Sequence, residues 1–196
     1  PGLFTSRAPG AEFCQLSRSV EPPSSEHIFG FDVQGCDYYI RTVYGARVSV
    51  SIGLVVTLFA TLIAVIFGTL AAYYGGILDS IIARLADVMF ALPFILGGIV
   101  ILSVLDHSFR NVSMVLVILG WPTMLRLQRS SVLAIKETEY VEAAKALGAS
   151  DLRIMARHIM PNAIAPVIVY ATIYVGVVIS AEAALSNRAA YMLPRA

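Results

Sequence analysis

Residues 48–78 read VSVSIGLVVTLFATLIAVIFGTLAAYYGGIL, 31 consecutive positions between Arg47 and Asp79 without a charged side chain. A helix that crosses a bilayer needs about 20 such residues at about 1.5 Å of rise each, so this run is ample for one span. The rest of the chain is built in the same way. Of its 196 residues 58% are hydrophobic and 14% charged, and the mean hydropathy is +0.77, above the balance of a soluble domain. A net charge of +1 gives no general attraction for nucleic acid or acidic partners.

Three further uncharged runs follow: 18 residues from Val88 to Leu105, 15 from Asn111 to Leu125 and 23 from Ile159 to Ala181. The 15-residue run is short for a crossing and is either a span whose flanking Arg110 and Arg126 snorkel outward, the preferred reading, or a re-entrant segment. The expected fold class is an all-α, polytopic membrane bundle of four spans. The expected organisation is an extracytoplasmic loop-rich head over 1–47, a transmembrane domain over 48–186 with a projecting loop at 126–158, and an atypical tail at 187–196. The projecting loop carries Arg126, Arg129, Lys136, Lys145, Arg153 and Arg157, whereas the head has four Arg against five acids. The positive-inside bias therefore puts the loop in the cytoplasm, against the vote of Arg41 and Arg47 beside the first span. The opening from Pro1 has no secretory signal pattern, which predicts that the chain is a piece of a longer protein.

Pro1, Gly2, Pro9, Gly10, Pro22 and Pro23 make the head loop-like. Cys14 and Cys36 both fall in it, in an expected oxidising compartment, and spacing leaves open whether they pair or stay as two thiols. His27 beside Cys36 and Asp37 lacks recognised metal-ligand spacing, so a surface histidine is the preferred reading.

The stretch Glu137-Thr-Glu-Tyr-Val-Glu-Ala-Ala-Lys-Ala-Leu-Gly148 is the most informative for function. Glu137, Glu139 and Glu142 crowd the first turns of a helix-forming run, and Gly148 supplies a left-handed stop. Ser150 or Asp151 can cap a second helix reaching to His158. Two short helices presenting Ala143, Ala144 and Leu147 suit the groove of another protein, with a solvated amphipathic connector as the plain alternative.

Glu142-Ala143-Ala144, three residues, Gly148, then twelve residues and Pro161 resembles the EAA motif of permease subunits of binding-protein-dependent ABC importers. His27-Ile-Phe-Gly30-Phe-Asp32, Gly35, Asp37, Tyr44-Gly-Ala-Arg47-Val-Ser49, Ala72-Tyr-Tyr-Gly-Gly76, Arg84-Leu-Ala-Asp87 and His158-Ile-Met-Pro161-Asn162 resemble its dipeptide/oligopeptide branch, over roughly residues 24 to 186. The resemblance implies a type I importer permease bundle, with four spans present of six and the first and last helices outside the sequence. It implies half of a translocation path, placed in the cell (inner, or plasma) membrane beside a second permease subunit. It also implies two ATP-binding subunits and an extracytoplasmic substrate-binding protein. Glu142, Ala143, Ala144, Leu147 and Gly148 become the ATPase coupling residues, Gly148 permitting the turn and Glu142 fixing the loop by polar contacts. Short peptides are the implied cargo, with nickel as the minor alternative. The sequence departs from the branch at Cys36, where Arg is usual, and after Ala184-Leu-Ser186, where a glycine-rich segment is expected.

A phosphate-cradling loop needs Gly-Lys followed by Ser or Thr. The two lysines, Lys136 and Lys145, do not follow Gly. The chain is therefore expected to be a transport subunit rather than an enzyme, with no cofactor of its own and with ATP on a separate chain. Arg84 and Asp87 are candidates for the path or, on the plainer reading, an i,i+3 pair at the inner interface. Glu182 is either a gate or a solvated terminus. Pro93, Gly97, Gly98, Pro161 and Pro166 offer bends or close packing. The rival readings are a passive channel with no nucleotide-hydrolysing partner, which leaves the Glu142–Gly148–Pro161 spacing unexplained, and an intramembrane enzyme. For acid–base work the enzyme would have only His27, His107 and His158, without a hydrolase motif.

Overall fold

The computed structural model describes residues 14–106 and 108–192. Pro1, Gly2, Pro9, Gly10, His107 and positions 193–196 of the tail lie outside the described residues. The helices are α1 Tyr38–Tyr74, α2 Gly76–Ala91, α3 Phe94–Val104, α4 Phe109–Lys136, α5 Glu139–Ala146, α6 Asp151–Ile154, α7 Met160–Ala163 and α8 Ala165–Met192, with a wide π turn at Met155–Ile159 between α6 and α7. The chain divides into two compact units, residues 1–51 and 52–196.

In the first unit the two cysteines form a disulfide, Cys14–Cys36, across a separation of 22 residues. Closing a loop of that length stabilises a fold by about 3 kcal/mol in the chain-entropy account. Asp32 organises the turn that follows. Its Oδ1 accepts from the amides of Gln34 at 2.8 Å and Cys36 at 2.9 Å, and its Oδ2 accepts from the Arg41 guanidinium. Burial alone would raise the Asp32 pKa, but the two amides and Arg41 outweigh it and hold the carboxyl below its usual range. His27 is drawn into this unit rather than left on the surface. Its Nδ1 lies 2.6 Å from Asp37 Oδ2 and its ring packs on Phe31 at 4.5 Å between centroids.

In the second unit α4 is the central helix, packed against α2, α3, α5, α7 and α8. Val112, Val115, Leu116, Leu119, Met124 and Leu125 along it are buried with Val56, Ala60 and Ala64 of α1 and Val167, Tyr174 and Val178 of α8. Small residues bring the helices close. A Cβ on Gly53 would meet Ile179 at 3.0 Å, and one on Gly68 would meet Gln128 at 3.0 Å.

α1 and Ala165–Leu185 of α8 are long and apolar enough to cross a membrane. At about 1.5 Å per residue, α1 is about 55 Å long, well beyond a hydrocarbon core of about 30 Å. The expected span Val88–Leu105 is not one helix. Its first four residues complete α2, Pro93 precedes α3, and α2 and α3 meet at 81°. Proline disfavours helical geometry in the residue before it, and Leu92 is extended there. Counted as one broken crossing, this pair brings the apolar spans to three. The expected fourth span, Asn111–Leu125, lies within α4, which runs on past Arg126 and Arg129 to Lys136. Only 15 residues of α4 lie between Arg110 and Arg126 without a charge, fewer than the about 20 that a hydrocarbon core of about 30 Å asks of a helix. Pro122 sits inside it and is buried; its missing N–H frees the Ile118 carbonyl.

Candidate functional site

The projection begins where α4 ends. Glu137 is the C-cap of α4 rather than a first-turn residue of the next helix, because Thr138 is extended and reverses the chain. Thr138 Oγ1 donates to the Ile135 carbonyl at 2.6 Å, so this hydroxyl serves the end of α4 and leaves α5 without a side-chain cap. Glu139 and Glu142 remain in the first turn of α5 and Lys145 in its last, complementing the helix dipole at both ends.

Gly148 closes α5 in the left-handed region, at φ +79°. The amide of Gly148 bonds to the Lys145 carbonyl at 2.9 Å and the amide of Ala149 to the Ala144 carbonyl at 3.1 Å. This pair of bonds is the Schellman closure, and it turns the chain sharply into α6. Ser150 occupies the N-cap position of α6 without a side-chain bond. The helix then widens through the π turn ahead of Pro161, whose ring nitrogen cannot bond back to the Arg157 carbonyl.

One side of this projection is sunk and the other is bare. Val141 and Ala144 of α5 pack with Ile154, Ile159 and Ala163 against Val132 of α4 and Ala72 of α1, in a cluster separate from the main core. Ala144 was expected on the presented face and lies on the buried one, 9% exposed, because it follows Val141 by three residues on the same side of the helix. Glu142, Ala143 and Pro161 are exposed. Leu147 is 88% exposed and Leu152 74%, so two largely bare leucines flank the Gly148 turn.

The charged candidates are placed differently from expectation. Arg84 and Asp87 do not pair along their helix. Asp87 Oδ1 accepts instead from Arg126 Nη2 of α4 at 2.7 Å, and that guanidinium also stacks over Phe90 at 4.0 Å. Arg reaches across helices because its planar fork can engage a carboxylate and an aromatic face at once. Asp79 near the start of α2 is held on both oxygens by Arg129 of α4. Glu182 is buried, 8% exposed, and α8 continues ten residues beyond it, so it is not a solvated terminus. Sequence reasoning missed Asp79, Arg129 and Gln128. Gln128 is fully buried and donates to Thr69 Oγ1 at 3.0 Å; the available signal was an amide inside an otherwise apolar helix face.

Residues 64–193 match the family described as binding-protein-dependent transport system inner membrane component. The chain belongs to that family. Its curated relatives include the dipeptide transport system permease protein DppC of Alkalihalophilus pseudofirmus, 41% identical over 86% of this chain and 56% of that protein. The oligopeptide transport system permease protein OppC of Bacillus subtilis is 39% identical over 87% of this chain and 56% of that protein. The glutathione transport system permease protein GsiD of Escherichia coli is 38% identical over 84% of this chain and 54% of that protein. The chain thus spans about half the length of the curated relatives it matches. A solved amino acid ABC transporter with histidines aligns over 77% of this chain and 76% of that one, at 19% identity and a TM-score of 0.49. As a member of this inner membrane component family, the protein is membrane-embedded, and its projection lies within the matched residues.

Proposed function

We propose that this chain is the permease subunit of an ATP-driven importer of dipeptides or oligopeptides in the plasma membrane, and that α5, Gly148 and α6 dock on a separate ATP-hydrolysing subunit. The carrying observation is the pair of bare leucines, Leu147 and Leu152, on either side of a turn held by two backbone hydrogen bonds. Two exposed apolar side chains on a rigid elbow are anchors for a partner's groove. The peptide cargo rests on the names of the relatives, and the loop's cytoplasmic side rests on its six basic residues. With no Gly-Lys-Ser/Thr in the sequence, hydrolysis falls to other chains, and the assembly contains a second permease, two ATP-binding subunits and an extracytoplasmic substrate-binding protein. Closure of the ATP-binding subunits moves the docked elbow, and the elbow moves the helices on which it sits.

A cysteine at the exposed position Ala146 tests this in the full-length, membrane-inserted importer. The expected result is a cross-link to the ATP-binding subunit together with ATP-dependent dipeptide uptake. No adduct in a folded assembly refutes the docking.

A further inference from the structure

Tyr73, in the last turn of α1, touches both helices of the projection. Its hydroxyl donates to Asp151 Oδ1, at the first residue of α6, at 2.6 Å. Lys145, in the last turn of α5, places its Nζ 5.7 Å from the centre of the same ring. The two contacts come from opposite sides of the Gly148 turn, one three residues before it and the other three after. A single side chain therefore registers the angle of the elbow.

The end of α1 that carries this side chain is itself held by further contacts. The Tyr74 ring meets the Tyr73 ring edge-on at 5.2 Å between centroids. Ala72, next in the chain, is fully buried in the projection's own cluster, and its carbonyl accepts from Lys136 Nζ at 2.9 Å. Immediately beyond, Gly75 and Gly76 are both left-handed, at φ +66° and +59°, and mark the joint between α1 and α2. Past the joint, Asp79 is fixed to α4 through Arg129. A displaced elbow thus has a tethered handle on the end of α1 and, just after it, a joint at which α1 can turn relative to the anchored start of α2.

We propose that Tyr73 is a positioning residue that transmits movement of the docked elbow to α1, through its hydroxyl bond to Asp151 and its ring contact with Lys145. This rests on the docking reading above and adds to it the route by which docking reaches a membrane span. A merely structural Tyr73 would lower assembly or stability; a transmitting one changes how much cargo moves for each ATP consumed.

The test uses the full-length importer in proteoliposomes, with radiolabelled dialanine as the probe. Uptake, ATP hydrolysis and the Ala146→Cys cross-link are measured on the same preparations. Tyr73→Phe keeps the ring and removes the hydroxyl. It is expected to retain the cross-link and hydrolysis within about twofold while uptake per ATP falls about fivefold or more, the size of a typical coupling between sites. Asp151→Ala has the same effect, and the double variant is no worse than either single one, because both remove one interaction. Asp151→Asn keeps an acceptor oxygen and restores uptake per ATP. Unchanged uptake per ATP in Tyr73→Phe and Asp151→Ala overturns the proposal, as does a loss that simply adds in the double variant. Should Tyr73→Phe fail to assemble, Asp151→Ala, at an exposed position, decides alone. A missing cross-link in the Ala146→Cys protein without further changes sinks the docking reading instead, which keeps the two failures apart.

Discussion

Arg129 donates through Nε and Nη2 to both carboxylate oxygens of Asp79, each at 2.6 Å, and so fixes the first turn of α2 to the second half of α4. The arrangement is bidentate and partly buried, with side chains 35% and 19% exposed, and it lies just after the double-glycine joint. Lysine cannot reproduce the fork, so Arg129→Lys counts here as a disruptive change. Arg129→Lys and Asp79→Asn should each lower stability by about 1–3 kcal/mol, mostly through the partner left unpaired. Thermal unfolding of the detergent-solubilised assembly checks this. Melting points equal to the unsubstituted protein would show that the pair is incidental.

Gly148 is demanded by backbone shape and not by space. Its φ is +79°, and a Cβ placed there would meet nothing within 4 Å. A β-branched residue in that conformation carries about 1–3 kcal/mol of strain, so Gly148→Val should reopen the Schellman closure and reset the elbow angle. Docking then weakens about tenfold for every ~1.4 kcal/mol expressed at the interface. Gly148→Asn, which tolerates the left-handed region better, should keep most of the uptake. Transport assays on both variants with subunit co-purification make the comparison; equal loss in both would point to a need for the bare surface rather than for the turn.

Legibility followed sequence distance. The Gly148 stop could be read in advance because the left-handed close of α5 is set by neighbours within a few positions. The presented face was misjudged at Ala144 because helix periodicity does not say which side meets α4. Asp79–Arg129 and Tyr73–Asp151 join residues 50 and 78 apart, on elements whose packing no local pattern specifies. Arg84–Asp87 was expected on the i,i+3 rule, and Arg126 displaced it because α4 brings a better-shaped donor from outside the helix. The second span showed its Pro93 in the sequence, and what could not be foreseen was that the bend would reach 81°.

Gly120 on α4 is a contact glycine. A Cβ there would lie 1.7 Å from the Tyr174 hydroxyl and 2.8 Å from the ring carbon that bears it. Tyr174 is 4% exposed, stacks on Tyr170 at 5.9 Å between centroids, and its hydroxyl has no hydrogen-bond partner among the described residues. Gly120→Ala should cost about 1–3 kcal/mol by overpacking α4 against α8. Tyr174→Phe alone should be neutral or stabilising, since a buried hydroxyl without a partner costs about 1–3 kcal/mol. Combined with Gly120→Ala it should recover part of the loss, not all of it, because the ring carbon remains too near. Melting temperatures of the three variants settle the order.

The head should loosen in acid, and Asp32 sets where. Its folded pKa is held down by the Gln34 and Cys36 amides and by Arg41 against the opposing effect of burial. A carboxyl depressed in this way contributes stability that is fully present above its unfolded pKa of about 3.9 and is lost as pH falls through the lower, folded value. The loss therefore lies below about pH 4 and not in the neutral range. The Cys14–Cys36 disulfide reports on it, because the Cys36 amide bonds to Asp32 Oδ1. Reduction of the full-length protein by a phosphine active in acid should be slow near neutral pH and accelerate as the head opens below about pH 4. Asp32→Asn keeps an oxygen for the two amides and removes the charge that Arg41 engages, so its head should be reduced faster at neutral pH and lack the acid transition. If the variant and the unsubstituted protein share one pH profile, Arg41 and the amides do not stabilise the head through this carboxylate.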